Sequence, residues 1–166
     1  MDNRPGGGGT IGATAVAKAP ADGYTLLLDA TAFTVNPSLF SKLPYDPVKD
    51  FAPISQITRV PMLLVVPAAS PLKSVADLVR AAKASPGKLS YASAGNGGAQ
   101  HLAAELYKQG AKLSMVHIPY RGGAPALTDL AGGQVDLMFS ATSASGTFVK
   151  SGKLRALAIT SAERGL

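Results

Sequence analysis

The residues with chemical reach in this chain stand where most side chains have been stripped away. From Ser93 to Ala99 the sequence reads Ser-Ala-Gly-Asn-Gly-Gly-Ala, and it runs straight into an amphipathic helical pattern that carries His101 in its first turn. A helix start offers unpaired backbone N–H groups and the positive end of the helix dipole. Small residues just before it let an anion come close, which suits a carboxylate or a phosphate. Ser93 and Asn96 add side-chain donors, while Gly95, Gly97 and Gly98 leave the backbone uncovered. The same composition also suits a tight strand-to-helix turn with glycines at positive φ, and spacing alone leaves both readings open. Tyr120-Arg121-Gly122-Gly123 repeats the layout after a second strand pattern. Arg121 there could hold a carboxylate with two parallel bonds or lie solvated.

Other chemistry finds less support. Gly7, Gly9 and Gly12 match the spacing G-x-G-x-x-G, and Asp29 closes the next apolar run where a dinucleotide fold places its ribose-binding acid. No strand pattern precedes these glycines, so a dinucleotide-binding enzyme is the alternative reading rather than the leading one. His101 and His117 are the two histidines, and the chain has no cysteine. Without H-E-x-x-H or H-x-H, no metal site is expected. His117, between Val116 and Ile118, reads as a structural strand residue. No G-x-S-x-G elbow is present, and Asp129 and Asp136 fall inside helix and strand patterns. No catalytic residue and no cofactor are expected.

The elements that must position these residues follow from periodicity. Residues 9–18 read as a short helix with Ile11, Ala15 and Val16 on its apolar side. Residues 24–30 read as a buried strand, 31–50 as proline-punctuated loop, and 52–60 and 62–68 as two strands parted by Pro61. From Ser74 onward helices and strands alternate. Ser74 caps the first helix with Asp77 three residues on, Gly110 closes the second, and Pro125 lies in the first turn of the third. Strands are expected near 88–92, 114–118, 135–139 and 155–160. This alternation predicts an α/β fold with a parallel sheet covered on both faces. Ligands then bind outside the carboxyl ends of the strands, at Ser93–Gly98, Tyr120–Gly123 and Ser140–Ser143. The change in regularity places a partial first lobe at 1–70 and a second α/β lobe at 71–166.

With 166 residues and a net charge of +6, the chain can bury a core without staples. Its basic residues are scattered and its aromatics are not interleaved with them, so no nucleic-acid partner is expected. Mild basicity fits an anionic small ligand through the summed field. No apolar run approaches 18 residues, and MDNRPGGGGT has no apolar core of a signal peptide.

Four blocks then occur in order: NRPGGGGTIGATAVAKAPADGYTLLL, NPSLFSKLPYDPVKDFAPIS, GKLSYASAGNGGAQHLAAELY and VHIPYRGGAPALTDLAGGQVDLMF. Together they resemble the tripartite tricarboxylate transporter substrate-binding proteins, the Bug family of solute receptors, from Asp2 to Arg164. The resemblance implies a periplasmic-binding-protein fold, two lobes around a cleft that closes on a small carboxylate. It also implies a periplasmic location and membrane transporter subunits as partners. Full members are about twice this length, so the chain is expected to be a fragment whose incomplete first lobe could self-associate, or a truncated receptor that no longer binds. In the family, backbone amides of cleft loops hold one ligand carboxylate, partly through water. The 93–98 loop matches that set, and the loop carrying Thr31 should face it. Where relatives often carry Asp this chain has Ser140, which disfavours a ligand amino group there.

Overall fold

The computed structural model describes residues 1–4 and 6–162. The described residues divide into two compact units, one within Met1–Ile57 with Gly97–Ala99, the other of Thr58–Asn96 and residues 100–162. Among the described residues no helix is long and apolar enough to cross a membrane.

The second unit holds a five-stranded sheet in the order β3-β2-β4-β1-β5. Its strands are β1 (Met62–Pro67), β2 (Ser90–Ser93), β3 (Val116–Pro119), β4 (Leu137–Ala141) and β5 (Leu154–Ile159). β2 pairs in parallel with β3 and β4, with Tyr91 opposite both His117 and Leu137. β1 runs antiparallel to β4 and to β5. The four strands expected after residue 74 are present and point one way, but β1 lies reversed among them, so the expected parallel sheet is in fact mixed. The continuous apolar run Met62–Val66 signals burial on both faces; it carries no information on strand direction. Because β1 hydrogen-bonds inside this sheet, the two units part at Ile57/Thr58 rather than near residue 70.

Side-chain alternation along the strands divides the interior into two cores. Leu64, Val66, Tyr91, Leu137 and Phe139 point to one side, where α3 (Val75–Ala84) and α4 (Ala99–Ala111) contribute Leu78, Ala82 and Ala104. Val65, Ala92 and Met138 point to the other, where α5 (Gly123–Ala131) contributes Ala126, Leu127 and Leu130 and α6 (Thr142–Lys150) adds Phe148 and Val149. Both sheet faces are thus covered. α3 starts as its sequence predicts: Ser74 Oγ accepts from Asp77 N at 3.1 Å, and the Asp77 carboxylate accepts from Lys73 N and Ser74 Oγ. Such a cap is worth about 1 kcal/mol. The connection from β1 to α3 is clamped by Arg155, whose guanidinium donates to the carbonyls of Ala68, Ser70 and Leu72 at 2.9–3.3 Å.

The first unit departs more from its sequence pattern. α1 (Thr10–Ala17) forms as expected, yet its buried residue is Ala13 and Ile11 is exposed. The stretch read as loop holds α2 (Thr31–Leu39), with Pro37 inside it. Asn36 anchors that helix: its buried side chain donates to Gly8 O at 2.9 Å, and its carbonyl accepts from Phe40 N. Phe33, Tyr45 and Phe51 pack ring against ring at 4.9–6.0 Å between centroids. These tertiary contacts outweigh the local cost of one proline near the helix end. Residues 24–30 and 52–60, read as strands, are irregular. A strand needs a hydrogen-bonding neighbour, and among the described residues these segments have no ladder partner. Their apolar side chains therefore stand in solvent: Leu26, Leu28, Ile54 and Ile57 are 67–80% exposed.

Extended apolar segments of this kind pair with other chains, and the expected outcome is concentration-dependent self-association. Light scattering should show a mass that rises with concentration and falls when Leu26→Lys and Leu28→Lys are combined. A concentration-independent monomer in the parent chain would contradict this.

Candidate functional site

The carboxyl ends of the parallel strands β2, β3 and β4 lie at one edge of the sheet. Ser93 ends β2 there and is fully buried. Its Oγ accepts from Gly95 N at 3.2 Å, lies 3.0 Å from Gly95 O, and meets His117 Nε2 at 2.7 Å. Gly95 has φ +138° and would place a Cβ 3.7 Å from Tyr120 O. The next loop is tied to this one through backbone: Tyr120 N donates to Ser93 O at 2.9 Å and Gly122 N to Ala94 O at 3.2 Å. Two of the expected ligand loops are therefore neighbours. Asn96 is exposed beside them.

The remaining expected residues distribute differently. Gly97 and Gly98 group with the first unit. Gly97 is buried at φ +74°, a conformation that already favours glycine, and a Cβ there would push aside the tip of Leu39. Gly98 immediately precedes α4. Tyr120 turns its hydroxyl to α5 and donates to Asp129 Oδ2 at 2.9 Å; burial, then that carboxylate, raise its pKa. Ser140 is buried inside β4, and β4 runs into α6 without a loop, so the expected 140–143 loop is a strand-to-helix junction. Thr31 is the exposed first residue of α2 in the first unit.

His101 does not stand alone in the first turn of α4. Its ring stacks on His117 with centroids 4.0 Å apart and planes 7° from parallel, and His117 stacks on Tyr91 at 4.8 Å and 15°. Glu105 gathers the charges around this stack. It accepts from the Tyr91 hydroxyl and from Lys108 Nζ at 2.7 Å, and lies 3.9 Å from His101 Nε2. Lys108 Nζ sits 5.3 Å from the Tyr91 ring centre. The Lys108 hydrogen bond, then that of Tyr91, hold the Glu105 carboxyl below its usual range, while burial and then Glu105 push the Tyr91 phenol up. Burial, then His101, hold the His117 imidazole below its ordinary 6.5. His117 was read from sequence as structural, yet it is the histidine bonded to the loop. The signal that finds it is strand register, which sets it beside Tyr91.

Metal and dinucleotide chemistry gain nothing from the geometry. Among the described residues no group of three or more His, Asp or Glu could hold a metal ion. Gly6–Gly9 form a left-handed turn leading into α1, with Gly8 O bonded to Asn36. The strand-turn-helix frame of a dinucleotide loop is not formed by residues 1–4 and 6–30.

The family model for the tripartite tricarboxylate transporter family receptor matches residues 1–166, and the chain belongs to that family. Protein BugT of Bordetella pertussis is 40% identical over 168 residues, covering 99% of this chain and 51% of that protein. The R. palustris protein Rpa4515, solved with adipate, is 41% identical with a TM-score of 0.92 over 98% of this chain and 55% of that one. MatC of Rhodopseudomonas palustris, solved with bound malate, is 33% identical with a TM-score of 0.84 over 96% of this chain and 54% of that one. The chain spans about half the length of the curated relatives it matches. Its α/β fold with a mixed sheet is that of the periplasmic binding proteins of this family.

The lowered His117 pKa has a signed consequence for stability. The fold favours the neutral ring, so this contribution is whole above pH 6.5. It is lost as pH falls from there through the lowered folded value, because the unfolded chain takes up the proton first. Melts between pH 7.5 and 5 should show a falling Tm, and His117→Gln should flatten part of that fall. A Tm that rises toward pH 5 would contradict the assignment.

Proposed function

We propose that this chain is the ligand-holding part of a periplasmic solute receptor that delivers a small carboxylate to a tripartite tricarboxylate-type transporter, with no catalytic step of its own. The observation that carries this reading is the Ser93–Gly98 loop. Ser93 is buried and bonded on three sides, Gly95 is held at positive φ, and small residues lead directly into the 13-residue helix α4. Backbone amides at a helix start are suited to one carboxylate of a ligand. Membership of the family supports the receptor class, and the neighbours solved with adipate and malate support a dicarboxylate. In this reading Ser93, Gly95, Asn96, Gly97 and Gly98 form the cradle, and the Tyr120 backbone braces it. Thr31, His101 and Ser140 are assigned as further ligand-binding residues. A net charge of +6 favours capture of an anion.

Adipate or malate should raise the melting temperature, since a ligand at one hundred times Kd stabilises by about 2.7 kcal/mol. NAD should leave it unchanged; the reverse pattern would favour the dinucleotide enzyme. Gly98→Val should weaken the dicarboxylate by about tenfold or more, the worth of one charge-assisted hydrogen bond, with little change in the melt of the free protein. A well-folded Gly98→Val chain with unchanged affinity would remove the cradle.

A further inference from the structure

Resting on the reading of residues 93–98 as the ligand loop, we propose that His117 is a positioning residue for that loop, donating its Nε2–H to Ser93 so that the Ser93 hydroxyl can hold both backbone groups of Gly95. The argument is one of hydrogen-bond capacity. A serine hydroxyl has one proton and two lone pairs. Three groups surround Ser93 Oγ: Gly95 N at 3.2 Å, Gly95 O at 3.0 Å and His117 Nε2 at 2.7 Å. The Gly95 N–H takes one lone pair. If the hydroxyl proton goes to Gly95 O, the ring must supply a hydrogen to the second lone pair. If instead the ring accepted, the hydroxyl proton would be spent on it and Gly95 O would lose its donor. One arrangement satisfies all three contacts, and it needs the hydrogen on Nε2. Gly95 is partly buried, where a carbonyl without its donor still costs free energy, so the full arrangement is the one selected.

The ring is itself held in place. Tyr91 from β2 and His101 from α4 stack on it, and both are braced through Glu105. The titratable and charged groups around His117 are therefore Tyr91, on the neighbouring strand, and His101, Glu105 and Lys108, on α4. Burial and the adjacent imidazole keep His117 neutral near pH 7, so it has a single hydrogen to place. α4 thus reaches the loop twice: its start abuts Gly98, and its first two turns fix the imidazole that fixes Ser93. A helix register that moved Glu105 would change the orientation of His117, and through Ser93 the setting of the Gly95 amide.

Nitrogen-15 NMR of the full chain at pH 7.5 reads the tautomer directly. The expected result is hydrogen on Nε2 of His117; hydrogen on Nδ1 overturns the proposal. Calorimetry with adipate and malate reads its consequence. His117→Phe, which keeps a stacking ring but no donor, and Ser93→Ala should each weaken binding by about fivefold, the scale of one hydrogen bond. The double variant should be no weaker than the weaker single, because both act through one contact. His117→Gln, which returns an N–H at the Nε2 position, should restore affinity. A merely structural histidine would give additive losses and no rescue by Gln, and that pattern overturns the proposal. If the parent chain binds neither dicarboxylate, the carboxylate reading fails separately. The positioning link is then decided by amide exchange at Gly95: faster exchange in both Ser93→Ala and His117→Phe supports it, and unchanged exchange overturns it.

Discussion

Met62–Pro67 runs antiparallel between β4 and β5, and its side chains alternate between the two cores of the second unit. Leu64 and Val66 face α3 and α4; Val65 faces α5 and α6. All three are at most 2% exposed, and burying a side chain of this kind is worth about 1.5–3 kcal/mol. Without β1, β4 would lose its neighbour on one side and β5 would have no place in the sheet. β2 and β3 attach to this frame through the parallel pairing of β2 with β4. Arg155 secures the chain's exit from β1 by donating to the carbonyls of Ala68, Ser70 and Leu72, so the strand's position is held from both the sheet and the connection.

The alignment of β2, β3 and β4 then brings their carboxyl ends to one edge, where short connections to helices leave backbone amides rather than side chains. Ser93 is the hinge between the packed sheet and this edge. Its backbone continues the ladder to Tyr120, while its hydroxyl sets the turn at Gly95. Behind it the stacked rings of Tyr91, His117 and His101 replace the aliphatic packing found elsewhere in that core. Polar rings here carry hydrogen bonds toward the loop on one side and toward Glu105 and Lys108 on the other. The proposed receptor reading rests on this same loop.

What sequence could reveal followed the range of the interactions involved. The capping pair Ser74 and Asp77 is local, and α3 begins where it predicts. The alternation from residue 74 onward likewise marks β2, β3, β4 and β5, since each strand's apolar run is flanked by its own helix. Strand direction is not a local property, and the reversed β1 was invisible for that reason. Residues 24–30 and 52–60 have strand-like side chains, but a strand exists only with a neighbour, and pattern does not supply one. α2 was hidden by Asn36-Pro37, where the deciding contact is the bond from Asn36 to Gly8, 28 residues away. At the proposed site, the small-residue loop stands out in sequence because its composition is unusual. The contact of His117 with Ser93 does not, because the two lie 24 residues apart on adjacent strands. Gly97 shows the opposite case, a residue singled out for ligand approach whose positive φ already favours glycine.

The central claim is that a small carboxylate is held by the backbone of the loop joining β2 to α4. Amide chemical-shift mapping of the full chain during a titration with adipate tests it at the atoms concerned. The account predicts that the largest shifts fall on the amides of Gly95, Gly97, Gly98 and Ala99, with smaller ones at Tyr120 and Gly122. Saturable shifts centred elsewhere, or none in this loop while adipate demonstrably binds, would contradict it.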